Sequence, residues 1–231
     1  YWGAPFALAG LALLLWRWGA ALGARTDLGD VPAGCGEHAP PHHEAPEAPG
    51  WWGSVFTLVT DATFFASLLF GYAFLATVSP AWPPAVPAQP SLLAGVVVLA
   101  GVAALVLAER AALAAVRAGR PQRARSAYGL AAAGLLVGLL ALGAFGWLGL
   151  PNPREHAYGA VVWVLLIYGG THGALALGML IFVRRRLAQG YVSPARLLEP
   201  RVVRLWVHYG ALAMIVSLAA IALPAGASWR W

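Results

Sequence analysis

Six separate stretches of this chain are each apolar for about the length of a bilayer-spanning helix, and they restrict the possible folds more than any other feature. A hydrocarbon core about 30 Å thick takes roughly 20 residues of helix at 1.5 Å per residue. The stretches run approximately over residues 4–22, 52–76, 92–116, 127–149, 158–183 and 202–223. Between them lie breaks rich in proline and glycine, such as Ser79-Pro80-Ala81-Trp82-Pro83-Pro84 and Leu150-Pro151-Asn152-Pro153, where helices end. Backbone amides in hydrocarbon must be satisfied internally, and the stretches lack the ten-residue alternation of barrel strands. An all-α integral membrane protein of six helices is expected. Composition agrees: with 10% charged residues against 60% apolar ones there is too little polar surface for an ordinary soluble domain.

All cationic side chains are arginine, and their positions orient the chain. If alternate loops share a side, one side collects thirteen: Arg17 and Arg25, the run Arg110 to Arg125, and the run Arg184 to Arg204. The other side has Arg154 and Arg230. Cytoplasmic loops retain positive charge during insertion, so the amino terminus is expected outside, the arginine-rich loops inside and the carboxyl terminus outside. Trp51, Trp52, Trp82, Trp147 and Trp206 fall near span ends, where indoles favour the interface. The basic runs border apolar stretches, which points to anionic lipid headgroups and away from nucleic acid. Arg110, Arg184, Arg185 and Arg204 are the expected headgroup contacts. The chain opens on Tyr1, so a processed product or a segment of a longer polypeptide is expected; no leader with a cleavage site is recognisable.

The connection at 23–50 is acidic and contains several prolines, and it is expected to be a flexible linker between the first span and the other five. It holds Cys35, His38, His42, His43 and Glu44, donors that could bind a soft or borderline metal, but their spacing fits no specific zinc pattern and Pro40-Pro41 stiffens the chain between them. A solvated linker is the preferred reading, with no metal ligands. One cysteine excludes an internal disulfide.

Asp61 is the residue that a membrane span does not tolerate without a reason. Nine residues past Trp52, it lies roughly 14 Å inside the helix end, where an ionised carboxylate facing lipid is costly. It must turn inward to a partner or stay protonated. His172 and His208 lie at matching depth, Tyr168 is one turn from His172, and Tyr209 adjoins His208. Asp61, His172, His208 and Tyr168 are therefore expected to form a buried polar cluster, either a packing device or part of a proton pathway. Ser67 and Gly71, Gly134 and Gly138, and Gly169 and Gly173 are small-residue pairs that permit close helix approach. No Gly-rich phosphate loop, His-Glu-x-x-His pair or Cys-x-x-Cys is present, no haem motif flanks the histidines, and no catalytic residues are expected.

From Trp51 onward the chain resembles subunit III of the haem-copper cytochrome c oxidases. The resemblance is carried by Trp51-Trp52-Gly53, by Thr60-Asp61-Ala62-Thr63-Phe64-Phe65, by His156-Ala157-Tyr158 with Trp163, by Tyr168-Gly169-Gly170-Thr171-His172-Gly173, by Gly190-Tyr191-Val192-Ser193-Pro194 and by Trp206-Val207-His208-Tyr209. The five helices of 51–231 are similar to the shortened form of that subunit, and the resemblance implies that 1–22 is the last helix of a fused subunit I portion. Three positions depart from the family pattern: its usual glutamate is Asp61, a frequent histidine is Gly169, and an acid and a tryptophan give way to Gly210-Ala211-Leu212-Ala213.

The resemblance implies a noncatalytic part of a respiratory oxidase, with subunit I and copper-bearing subunit II as partners. Haem and copper would lie in those partners, phospholipid on this chain, and the complex in a bacterial cytoplasmic membrane, where this part supports proton uptake. Two other readings stay open: a proton-coupled small-solute transporter, and the related accessory subunit of a quinol oxidase or nitric oxide reductase.

Overall fold

The computed structural model describes residues 9–10, 13–14, 17, 29–41, 44–45, 48–79, 82 and 91–222. Five helices in it are long and apolar enough to cross a membrane: α1 (Pro49–Val78), α2 (Leu92–Arg117), α3 (Pro121–Gly149), α4 (Ala157–Ala188) and α5 (Leu198–Ala222). The sixth expected span, 4–22, lies outside the described residues except at 9, 10, 13, 14 and 17.

The helices begin and end where local chemistry requires. Pro49 and Pro121 stand in the first turns of α1 and α3, where a missing N–H costs nothing. Ser91 caps α2 by accepting from the Ala94 amide at 3.3 Å, and the Nδ1 of His156 caps α4 by accepting from the Tyr158 amide at 3.0 Å. Gly119 and Gly190, past the ends of α2 and α4, take positive φ of 66° and 79°. The helices outrun the apolar stretches at the arginine-rich end because nothing there breaks a helix; α3 starts at Pro121 and not at 127, and α4 continues to Ala188.

α2 and α3 form the tightest pair. A methyl group added at Gly101 would lie 2.6 Å from the Gly134 carbonyl oxygen and 2.9 Å from the Gly138 Cα, so the two backbones touch where glycine alone fits. α5 packs on α4 and α2, and α3 on α4. Gly169 and Gly173 realise the second expected small-residue contact, since a Cβ at Gly169 would meet the Met214 Cα at 3.2 Å. The Ser67 and Gly71 pair mediates no such contact: Gly71 has open space beside it, and Ser67 bonds its own helix at the Thr63 carbonyl.

α1 is the outlier. Among the described helices it touches α4 and α5 alone, and just Leu58 and Phe65 are buried along its length. Its inward positions Leu58, Asp61, Phe65, Leu68 and Tyr72 follow spacings of three and four, a single seam laid against the bundle.

Within the 23–50 connection the chain forms a short hairpin. Strands β1 (Val31–Gly34) and β2 (Glu37–Ala39) pair antiparallel, with Val31 opposite Ala39 and Pro32 opposite His38. Gly34, Cys35 and Gly36 all take positive φ, and the two glycines make that reversal affordable.

Candidate functional site

Four side chains from three helices meet on one carboxylate oxygen at mid-height in the bundle. Asp61 of α1 accepts at Oδ2 from the Tyr209 hydroxyl of α5 at 2.6 Å and from the Tyr168 hydroxyl of α4, and His172 Nε2 of α4 stands 2.9 Å from the same atom. The two phenol oxygens lie 2.6 Å apart. Phe65, one turn after Asp61, stacks on the Tyr168 ring at 4.4 Å with planes 6° apart, and Tyr168 in turn lies 4.2 Å from the His172 ring. The carboxylate thus sits in an aromatic cradle. His172 is nearly enclosed, with 9% of its side chain exposed, whereas Asp61 keeps 29% exposed on the thinly covered α1 side.

Acceptor chemistry fixes the histidine tautomer. His172 Nδ1 lies 2.9 Å from the Tyr168 carbonyl oxygen, which can only accept, so Nδ1 carries a hydrogen. Nε2 faces Asp61 Oδ2 at 2.9 Å, so a further proton bound by the pair would lie between these two atoms. With the two phenol hydrogens, three protons serve four close contacts. One contact is always short of a proton, and rotating a hydroxyl moves the deficit elsewhere. Such a cluster can take up, hold and pass a proton.

Of the expected cluster, Asp61, Tyr168 and His172 come together and His208 does not. Successive residues on a helix point about 100° apart, so His208 and Tyr209 cannot both face Asp61. Tyr209 does, and His208 lies within electrostatic reach of α2. There its electrostatic neighbour is Glu109, an acid that the sequence reading passed over. Glu109 stands next to Arg110 near the end of an apolar stretch and resembles one half of a headgroup-level charge pair; it is fully buried.

The headgroup arginines are spread over three helices. Arg110 and Arg185 are exposed, Arg204 is half-buried, and Arg184 donates through Nε to the Arg125 carbonyl at 3.2 Å. The arginine with a structural task is their neighbour Arg186. Its guanidinium grips Glu199 with Nη2–Oε1 at 2.5 Å and Nε–Oε1 at 3.0 Å, lies 3.9 Å over the Tyr191 ring, and ties the end of α4 to the start of α5. Beside this pair a groove of about 610 Å³ runs between α4 and α5, lined by Leu175, Met179, Phe182 and Val202, with Gly50 of α1 beside it.

In the hairpin, Cys35 is exposed; His42 and His43 lie outside the described residues. Among the described residues no three His, Cys, Asp or Glu side chains approach closely enough to share a metal ion. Trp82 is buried against Tyr72 and Tyr158, at 5.5 and 5.1 Å, inside the expected interfacial belt.

Set against known proteins, the chain matches no family model, and no curated protein matches it closely enough to count as a relative.

Proposed function

We propose that this chain is a noncatalytic membrane part of a respiratory haem-copper oxidase, similar to its subunit III. It would stabilise the catalytic subunit, bind phospholipid and support proton uptake during oxygen reduction. One observation carries the reading: the motifs behind the resemblance stand 107 and 148 residues apart in the chain, yet Asp61, Tyr168, His172 and Tyr209 converge on a single oxygen atom. Their meeting at one atom supports reading these segments as one site.

In this reading haem and copper belong to the partner subunits I and II, and this chain supplies packing, lipid contact and a protonatable centre. The partly exposed Asp61 edge, thinly covered by α1, is the side on which a neighbour would sit. The 610 Å³ groove has the apolar lining of an acyl-chain site, with Glu199, held by Arg186, as the charged residue in its wall. The complex would occupy a bacterial cytoplasmic membrane, with the amino and carboxyl termini outside and the arginine-rich loops inside.

Mild extraction from native membranes tests the proposal. A haem-bearing partner should co-purify, and Asp61→Leu should shorten the turnover lifetime of the complex while leaving initial oxygen consumption near normal. An isolated chain that transports a solute after reconstitution, with uptake abolished by Asp61→Asn, would replace this reading with that of a proton-coupled transporter. Spectra and substrate assays of the purified complex distinguish a cytochrome c oxidase from a quinol oxidase or nitric oxide reductase.

A further inference from the structure

We propose that Glu109, Tyr128 and His208 form a second proton-binding site, enclosed where α2, α3 and α5 meet and exchanging its proton toward the arginine-rich end of the bundle through His208. Glu109 and Tyr128 have no exposed surface. Neither carboxyl oxygen of Glu109 has a hydrogen-bond partner, and the Tyr128 hydroxyl has none either, although the two residues are electrostatic neighbours. Unpartnered and fully enclosed, these groups contrast with Asp61, whose Oδ2 is surrounded by donors. They offer acceptors and a donor for an exchangeable proton, carried on the carboxyl or on a water molecule held between carboxyl and phenol.

The groups around Glu109 suit proton exchange. From α5 come His208 and Arg204, from α2 itself Arg110 and Arg117, and from α3 Tyr128. His208 Nδ1 lies 2.8 Å from the Arg204 carbonyl oxygen, so Nδ1 holds a hydrogen and Nε2 is the nitrogen free to gain or lose one. His208 is half-buried where Glu109 is sealed. Glu109 and His208 are not hydrogen-bonded, so the transfer runs through a water between them: the Glu109 O–H bond breaks as that water gains a proton, and one of the water's O–H bonds breaks as an N–H bond forms at His208 Nε2, leaving carboxylate and imidazolium. The three arginines steady the carboxylate, and the imidazolium then gives its proton to water at the bundle surface. Tyr209, the next residue, belongs to the Asp61 cluster, so α5 presents the two sites on adjacent faces.

The site is independent of which complex the chain joins, and so is its test: infrared spectra of the full chain in its native membranes, taken through exchange from H₂O to D₂O. A carboxylic-acid carbonyl band should be present, disappear in Glu109→Gln, and exchange at least about tenfold more slowly in His208→Asn. Asp61→Asn should leave both that band and its exchange rate unchanged. Persistence of the full band in Glu109→Gln, or unaltered exchange in His208→Asn, would overturn the proposal. Should Glu109→Gln fail to accumulate, Tyr128→Phe keeps the acid and should shift the band; an unmoved band would equally overturn it.

Discussion

Asp61 can be replaced in two ways that separate its two tasks. Asparagine keeps an acceptor for the phenols and can donate to a neutral His172, so Asp61→Asn is expected to preserve the docking of α1 while abolishing proton exchange at the cluster. Leucine removes every hydrogen bond. Such bonds between membrane helices contribute about 0.6–1.7 kcal/mol each, so losing three should loosen α1 by about 2–5 kcal/mol. Protease accessibility of α1 and unfolding in detergent should then change in Asp61→Leu and stay near wild type in Asp61→Asn. The position was legible in the sequence because an acid deep in an apolar span must find partners, and Tyr168 and His172 share a helical face. The error at His208 came from matching residues by depth without their angular position on the helix. Glu109 was missed because an adjacent arginine makes a buried acid look like a surface pair. Gly169 has a physical account as well: a Cβ there would lie 3.2 Å from the Met214 Cα, so a larger side chain would push α5 away and withdraw Tyr209 from Asp61.

Among the elements, α2 and α3 are joined by backbone contact and α4 and α5 by backbone contact plus a charged staple. Gly101→Leu forces a side chain into the Gly134 carbonyl and should cost about 1–3 kcal/mol or more, read as a lowered unfolding midpoint of the purified chain. Gly71→Leu, on the open side of α1, should leave the midpoint unchanged. At the staple, Arg186→Lys keeps the charge but loses the fork on Glu199 and the planar stack on Tyr191, so it should destabilise nearly as much as Arg186→Leu. Near-full recovery by lysine would show that charge alone matters there. Helix number among the described residues followed from span length and proline breaks. The hairpin at 31–39 did not, because its signal is a short Gly-Cys-Gly turn inside a proline-rich segment with little apolar pattern.

For the whole molecule, the arginine asymmetry and the single cysteine combine into a test of orientation. Cys35 is exposed in the hairpin between the first two apolar stretches, on the side assigned to the cytoplasm. A membrane-impermeant thiol reagent should label it in inverted vesicles and spare it in right-side-out cells; the opposite pattern would invert the topology. The thin attachment of α1 has a further consequence during synthesis. Threading through the translocon from the amino end releases Asp61 into the bilayer long before the ribosome has made Tyr168 or Tyr209, which follow it by 107 and 148 residues. Until those arrive, Asp61 lacks the hydroxyl and imidazole partners it has in the bundle. Docking of α1 then has to wait for segments made after it, so a stalled or truncated nascent chain would strand its acid in lipid and mark itself for quality control.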